Sequence, residues 1–192
     1  MLPGALAILG IVATGCSAAQ APEGAAGPGL AHVHGLGVDP ADGMLLAASH
    51  YGVYRLPESG EPELVGARQD TMGFTVVGPH HFLGSGHPDP GDTEQGLVRS
   101  TDGGRTFTAI GATPRLVLID WPATELLVAV DAGGSVYRSV DGGTSWVQQG
   151  AVRGQPGALA THGESEVYIA AGDGIYASRD SGRTFTLRQS MT

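Results

Sequence analysis

The chain has 192 residues, 32 of them glycine and 12 proline, with 41% hydrophobic and only 15% charged residues. That composition excludes a disordered chain and favours short strands and turns over helices. A formal net charge of −9, with ten arginines and no lysine or asparagine, excludes a phosphate-binding stripe, catalytic or P-loop lysines and N-glycosylation, so nucleic acid is not an expected partner.

The first segment is apolar from Leu2 to Val12, shorter than the roughly 20 residues that span a bilayer, and it ends in small residues. A signal peptide over residues 1–15 is expected. Ala13-Thr14-Gly15-Cys16 resembles the bacterial lipobox, whose cysteine is lipidated and becomes the mature N-terminus; a plain secretory leader and a buried N-terminal segment are the other readings. Cys16 is the only cysteine, so it has no internal disulfide partner and acylation is its most economical role. The expectation is an exported lipoprotein anchored in the membrane at the outer face of the cytoplasmic membrane. Residues 16–31, rich in alanine, glycine and proline, read as a flexible linker.

From residue 32 the chain repeats. "STDGGRTF" at Ser100, "SVDGGTSW" at Ser139 and "SRDSGRTF" at Ser178 place Asp102, Asp141 and Asp180 at intervals of 39 residues. The stretches before them, "GLVRS", "SVYRS" and "GIYAS", also match, and "GVYRL" at Gly52 supplies a fourth copy whose following turn has lost the aspartate. Upstream of each lies an apolar run, such as "LLVAVD" from Leu126, preceded by another run and a turn. Each unit therefore reads as four short strands, and four-stranded units of about 40 residues are propeller blades. The expected fold is an all-β propeller over 32–191, with four blades near 32–67, 70–111, 112–150 and 151–190. Residues 88–95 are an insertion in blade 2. The count leaves open a closed small propeller, an open arc that pairs with a second copy, and part of something longer.

Within the repeated phrase, the aspartate is expected to bond backbone N–H groups two residues on while glycine supplies positive φ. The following aromatic, Phe107, Trp146 or Phe185, is expected to fill the gap between blades. The sets Ser100, Asp102, Gly104; Ser139, Asp141, Gly143; and Ser178, Asp180, Gly182 resemble the Asp boxes, or bacterial neuraminidase repeats, of sialidases and of several non-catalytic propellers. "HVHGLGVDP" and "DTMGFTVVGPHHFLGSGHPDP" further resemble actinobacterial sialidase-like, glycosyl-hydrolase-like lipoproteins, of which this chain looks like a shortened member. The resemblance implies a propeller whose Asp boxes are scaffold on the outer rim.

A sialidase of that family requires three arginines on the sugar carboxylate, a tyrosine nucleophile with its glutamate, and an acid/base aspartate. Arg55, Arg99 and Arg138 are repeat-equivalent and read as braces, Tyr54, Tyr137 and Tyr176 as core, and only Arg115 enters an innermost strand from the candidate ligand face. No catalytic residue is assigned. A ligand-binding or assembly module for carbohydrate or protein is expected, with a glycoside hydrolase as the competing reading.

Propeller loops alternate between two faces, which sorts the histidines. His80, His81 and His162 fall in first turns, on the Asp-box face. His32 and His34 begin the innermost strand of blade 1, His50 and His87 end second strands, and Asp70 and Met72 flank the start of blade 2, all on the opposite face. Asp131 and Asp173 take the matching places in blades 3 and 4. Because residues i and i+2 of a strand point the same way, His32 and His34 are expected side by side. With His50 or His87 they suit Zn²⁺ or Cu²⁺, and Met72 suits Cu⁺; the other reading is that these histidines bond loop carbonyls around the channel mouth.

Overall fold

The computed structural model describes residues 30, 32–87, 96–111 and 113–191. The signal peptide, Cys16, nearly all of the linker and the insertion from Pro88 to Gln95 lie outside the described residues. Alternation of apolar and polar residues between glycine-rich turns gives sixteen strands and, among the described residues, no helix. They form four four-stranded antiparallel sheets, each taken in chain order. Blade 1 comprises β1 (Val33–Val38), β2 (Leu45–Ser49), β3 (Gly52–Leu56) and β4 (Glu63–Val65); blade 2 comprises β5 (Asp70–Gly78), β6 (His81–His87), β7 (Gly96–Ser100) and β8 (Thr108–Ala109). Blade 3 comprises β9 (Leu116–Ala123), β10 (Leu126–Asp131), β11 (Ser135–Ser139) and β12 (Val147–Ala151); blade 4 comprises β13 (Pro156–His162), β14 (Glu166–Ala171), β15 (Gly174–Ser178) and β16 (Thr186–Ser190). This is the all-β, four-bladed propeller that the repeats predict. The strands are less uniform than expected: innermost β5 runs for nine residues and outermost β8 for only two.

The three copies of the repeated phrase fold into turns with one hydrogen-bond pattern. Gly104 N–H donates to Ser100 Oγ (2.8 Å), Ser100 Oγ–H donates to Asp102 Oδ1 (2.8 Å), and Thr106 donates its N–H to Oδ1 (3.0 Å) and its hydroxyl to Oδ2 (2.6 Å). Ser139, Asp141, Gly143 and Ser145 repeat this, as do Ser178, Asp180, Gly182 and Thr184. The aspartate thus reaches the N–H four residues on, not two, because the serine two residues before it already fills the tighter bond. These hydrogen bonds, led by the threonine or serine hydroxyl, hold the Asp102 and Asp141 carboxyls down at about 2 and that of Asp180 well below the usual carboxylate range. Each turn is clasped by its own blade's first turn, through Gly103 N–H to His80 O, Gly142 N–H to Glu125 O and Ser181 N–H to Ser165 O.

Three apolar seams join the blades. Leu46, Ala48 and Val53 of blade 1 meet Phe74 and Phe82 of blade 2; Leu83 and Leu97 meet Leu116, Ile119 and Leu127 of blade 3; Val128, Val130 and Val136 meet Val167, Ile169 and Tyr176 of blade 4. Phe107, Trp146 and Phe185 pack into these seams in turn, each between its own blade and the preceding one, as expected. Burying a large aliphatic or aromatic side chain in this way contributes roughly 1.5–3 kcal/mol each.

The outward face of blade 1 repeats this design without a cover. Leu36 occupies the register position of Phe74 and Ile119, yet it is 63% exposed against 5% and 7%. Leu45 occupies that of Phe82 and Leu127 and is 39% exposed against 1% and 0%. Ile175 and Leu187 are similarly exposed in blade 4. Strand packing links β1 to β5, β5 to β9 and β9 to β13, and among the described residues no comparable packing links β13 back to β1.

Candidate functional site

Every innermost strand is interrupted by a bulge near its start. Pairing steps from Val33↔Ser49 to Gly35↔Ala48 in blade 1 and from Thr71↔Gly86 to Gly73↔Ser85 in blade 2. It steps likewise from Leu116↔Asp131 to Leu118↔Val130 in blade 3 and from Pro156↔Ala171 to Ala158↔Ala170 in blade 4. The extra residues are His34, Met72, Val117 and Gly157. A bulge breaks the two-residue alternation and re-aims a side chain, so these four positions are one set of repeat-equivalent sites. Only blades 1 and 2 place a ligating side chain there.

Around the blade 1 bulge the side chains bond to one another. His34 Nε2 lies 3.1 Å from His50 Nε2, and the rings meet edge-on with centroids 4.4 Å apart. On its other side, His50 Nδ1–H donates to Asp70 Oδ1 at 2.7 Å, a half-buried ion-pair geometry that links blade 1 to blade 2. Asp70 therefore fixes the His50 ring, and one proton lies between the two Nε2 atoms. Burial, reinforced by the neighbouring His50, lowers the pKa of His34 and favours its neutral form, with Asp70 opposing. The His32 ring stands 5.4 Å from His50, centroid to centroid, on a backbone of φ 58°. That left-handed conformation is uncommon for a side-chain-bearing residue. It takes His32 out of the regular alternation, so His32 and His34 do not lie as simple strand neighbours; both approach His50.

The remaining residues of this face are disposed differently. Met72 lines a cavity of about 190 Å³ with Arg115, Leu116 and Val117, on the blade 3 side of its bulge. His87 pairs with Asp70 in the β5–β6 register; its side chain is outside the described residues. Asp131 closes its own hairpin, its Oδ1 accepting the N–H groups of Gly133 and Ser135 and its Oδ2 the hydroxyl of Tyr137. Asp173 accepts the Tyr176 hydroxyl at 2.7 Å. That bond raises the tyrosine's pKa.

On the opposite face, sequence reading overlooked Asp39. This carboxylate is buried at the end of β1 and takes the N–H groups of Ala41 and His80 and, at 2.8 Å, the His80 ring. Burial opposes its ionisation, but the His80 and Ala41 donors outweigh burial and leave its pKa lowered. The available signal was an aspartate ending a strand ahead of the turn "PADG". His81 and His162 are exposed. Two of the three repeat-equivalent arginines act as braces: Arg99 donates to Gly142 O at 3.0 Å in the next blade and Arg55 pairs with Asp42 at 2.7 Å. Arg138 does not follow them, for its Nε is buried without a hydrogen-bond partner among the described residues.

Among the described residues no group of three or more histidine, cysteine, aspartate or glutamate side chains is already arranged around a metal position. What the His34–His50–Asp70 relay offers is a pair of facing imidazole nitrogens, one of them oriented by a carboxylate.

No protein-family model matches the chain and no curated protein matches it. Solved structures do. YCF48 bound to D1 peptide superposes with a TM-score of 0.59 at 18% identity, over 84% of this chain and 56% of that one. A gluconolactonase from Xanthomonas campestris gives 0.62 at 15% identity, over 83% and 62%, and an ancestral GH74 enzyme 0.57 at 18%, over 83% and 24%. The likeness shows a β-propeller. At these identities it establishes the fold alone, which carries many functions, and the chain spans little more than half the length of the YCF48 structure.

Proposed function

We propose that this chain is an exported, lipid-anchored propeller that binds a ligand on the face carrying His32, His34, His50 and Asp70, without sialidase chemistry. Acylation at Cys16 supplies the anchor. The observation that carries the reading is the His34–His50–Asp70 relay, in which side chains of two blades are bonded to one another at a re-aimed bulge. The polar groups of the repeated phrases, by contrast, are consumed by their own turns. Two neighbours of this fold bear on the class of function: one binds a peptide and another is a glycoside hydrolase by name. For hydrolysis, Arg55 and Arg99 brace the scaffold and Arg105 donates to its own turn at Asp102 O, which leaves no three-arginine clamp built from them.

Hydrogen–deuterium exchange of the purified protein, with and without an envelope extract of the producing cells, tests the reading. Protection confined to peptides containing residues 32–35, 49–51 and 70–72 is expected. Protection confined to the turns at 100–106, 139–145 and 178–184 overturns it. Fluorogenic sialosides and glucosides are expected to remain intact, and palmitate labelling is expected for the native chain and not for Cys16→Ala.

A further inference from the structure

We infer that the ligand of this face is a borderline divalent transition-metal ion, Zn²⁺ or Cu²⁺, held by Nε2 of His34 and Nε2 of His50 and completed by His32. The inference rests on the binding reading above and names the ligand class of the same site.

Four observations converge on it. The two Nε2 atoms face each other at 3.1 Å, and two imidazoles on one tetrahedral ion with metal–nitrogen bonds of about 2.0–2.1 Å stand roughly 3.3–3.4 Å apart. A shift of a few tenths of an ångström therefore admits a metal ion between the two nitrogens; the ring proton of neutral His34 moves from Nε2 to Nδ1, so that both Nε2 lone pairs face the ion. His50 has its other nitrogen on Asp70 at 2.7 Å, the carboxylate–histidine arrangement that orients metal-bound imidazoles and raises their basicity. The backbone is distorted at both flanking histidines, by the bulge at His34 and the positive φ at His32. Distortions of this kind cluster at binding sites, where they aim side chains that a regular strand would point apart. Finally, the equivalent bulge residues of blades 3 and 4, Val117 and Gly157, have no donor atoms, so the site is a property of blade 1 and not of the repeat.

The donor set is all imidazole. It suits Zn²⁺ and Cu²⁺ and disfavours Ca²⁺ and Mg²⁺, which require oxygen. His32 enters the coordination sphere by rotating its exposed ring toward His50; Asp70 acts as a positioning residue. Met72, placed in the cavity beside Arg115, is not among the ligands.

The test is isothermal titration of the metal-stripped full chain with ZnSO₄ and with CuSO₄, and with CaCl₂ as the control. One equivalent of zinc or copper is expected to bind, with no calcium heat. His50→Ala and His34→Gln are each expected to weaken binding at least about 100-fold, and Asp70→Asn about 10–100-fold, with His162→Ala unchanged. Thermal melts without metal establish that each variant is folded; a variant that is not is replaced by the His→Gln or His→Ala alternative at the same position. Absence of a stoichiometric isotherm overturns the inference, as does one that survives the folded His34 and His50 variants. If the exchange protection described above persists while no metal binds, this inference falls and the binding reading stands.

Discussion

The propeller offers an internal comparison of one residue type at one repeat position under two degrees of cover. Leu127 and Leu45 occupy the same register position in the second strands of blades 3 and 1, and they differ in that blade 2 covers Leu127 whereas Leu45 is 39% exposed. Leu127→Ala removes a fully buried isopropyl group from the seam with Leu83, Leu97 and Ile119. Its expected cost is about 3–4 kcal/mol, the transfer of the three lost carbons plus the cavity that the rigid sheets leave behind. Leu45→Ala loses only part of that transfer and leaves no enclosed cavity, so about 1 kcal/mol is expected. In thermal unfolding of a domain of this size, 1 kcal/mol corresponds to roughly 2–4 °C. The melting temperature is therefore expected to fall by about 6–16 °C for Leu127→Ala and by no more than about 4 °C for Leu45→Ala. Urea midpoints with unchanged slope confirm that stability and not compactness has changed. Equal losses at the two sites refute the reasoning, because they require the outward face of blade 1 to be covered in solution.

The depressed carboxyls of Asp102 and Asp141 predict acid sensitivity: their contribution is complete above the unfolded value of about 4 and disappears as pH falls through the folded value of about 2. The melting temperature should drop through that window, and Asp141→Asn should begin lower and drop less; an identical pH profile contradicts this. Gly143→Ala is expected to cost about 3 kcal/mol by chemical denaturation, since Gly143 has φ 92° and an added Cβ meets the Leu97 side chain. Gly43→Ala, at φ 75° with open space around it, should cost only about 1 kcal/mol. His80→Ala should cost about 1–2 kcal/mol by withdrawing a donor from the buried Asp39 carboxylate, and His80→Asn less, because asparagine donates and tolerates positive φ.

Much of the fold is legible in the sequence because the 39-residue interval recurs at residues whose roles are local. Ser139, Asp141 and Gly143 bond within one turn, so their spacing survives in the chain without reference to distant partners. The sorting of histidines onto two faces follows from the alternation of propeller loops between those faces. The site itself is less legible. His32 and His34, read as a regular i and i+2 pair, are separated by a bulge and a left-handed residue that residue types do not announce. Asp70, counted among the candidate metal or ligand residues from its place at the start of blade 2, is the hydrogen-bond partner of His50, a contact between blades that no spacing encodes. Asp131 and Asp173, assigned to the ligand face by their position, bond to Tyr137 and Tyr176, tyrosines read from the sequence only as core.

The most direct measurement of the central claim, that this face carries a preformed side-chain relay, is a long-range proton–nitrogen correlation spectrum of the histidine rings in the metal-free protein. The account predicts that His50 Nδ1 is protonated and bound to Asp70, that a single proton is shared between the Nε2 atoms of His34 and His50, and that Asp70→Asn perturbs both rings. Independent, solvent-averaged spectra for His34 and His50, unaffected by Asp70→Asn, would contradict it.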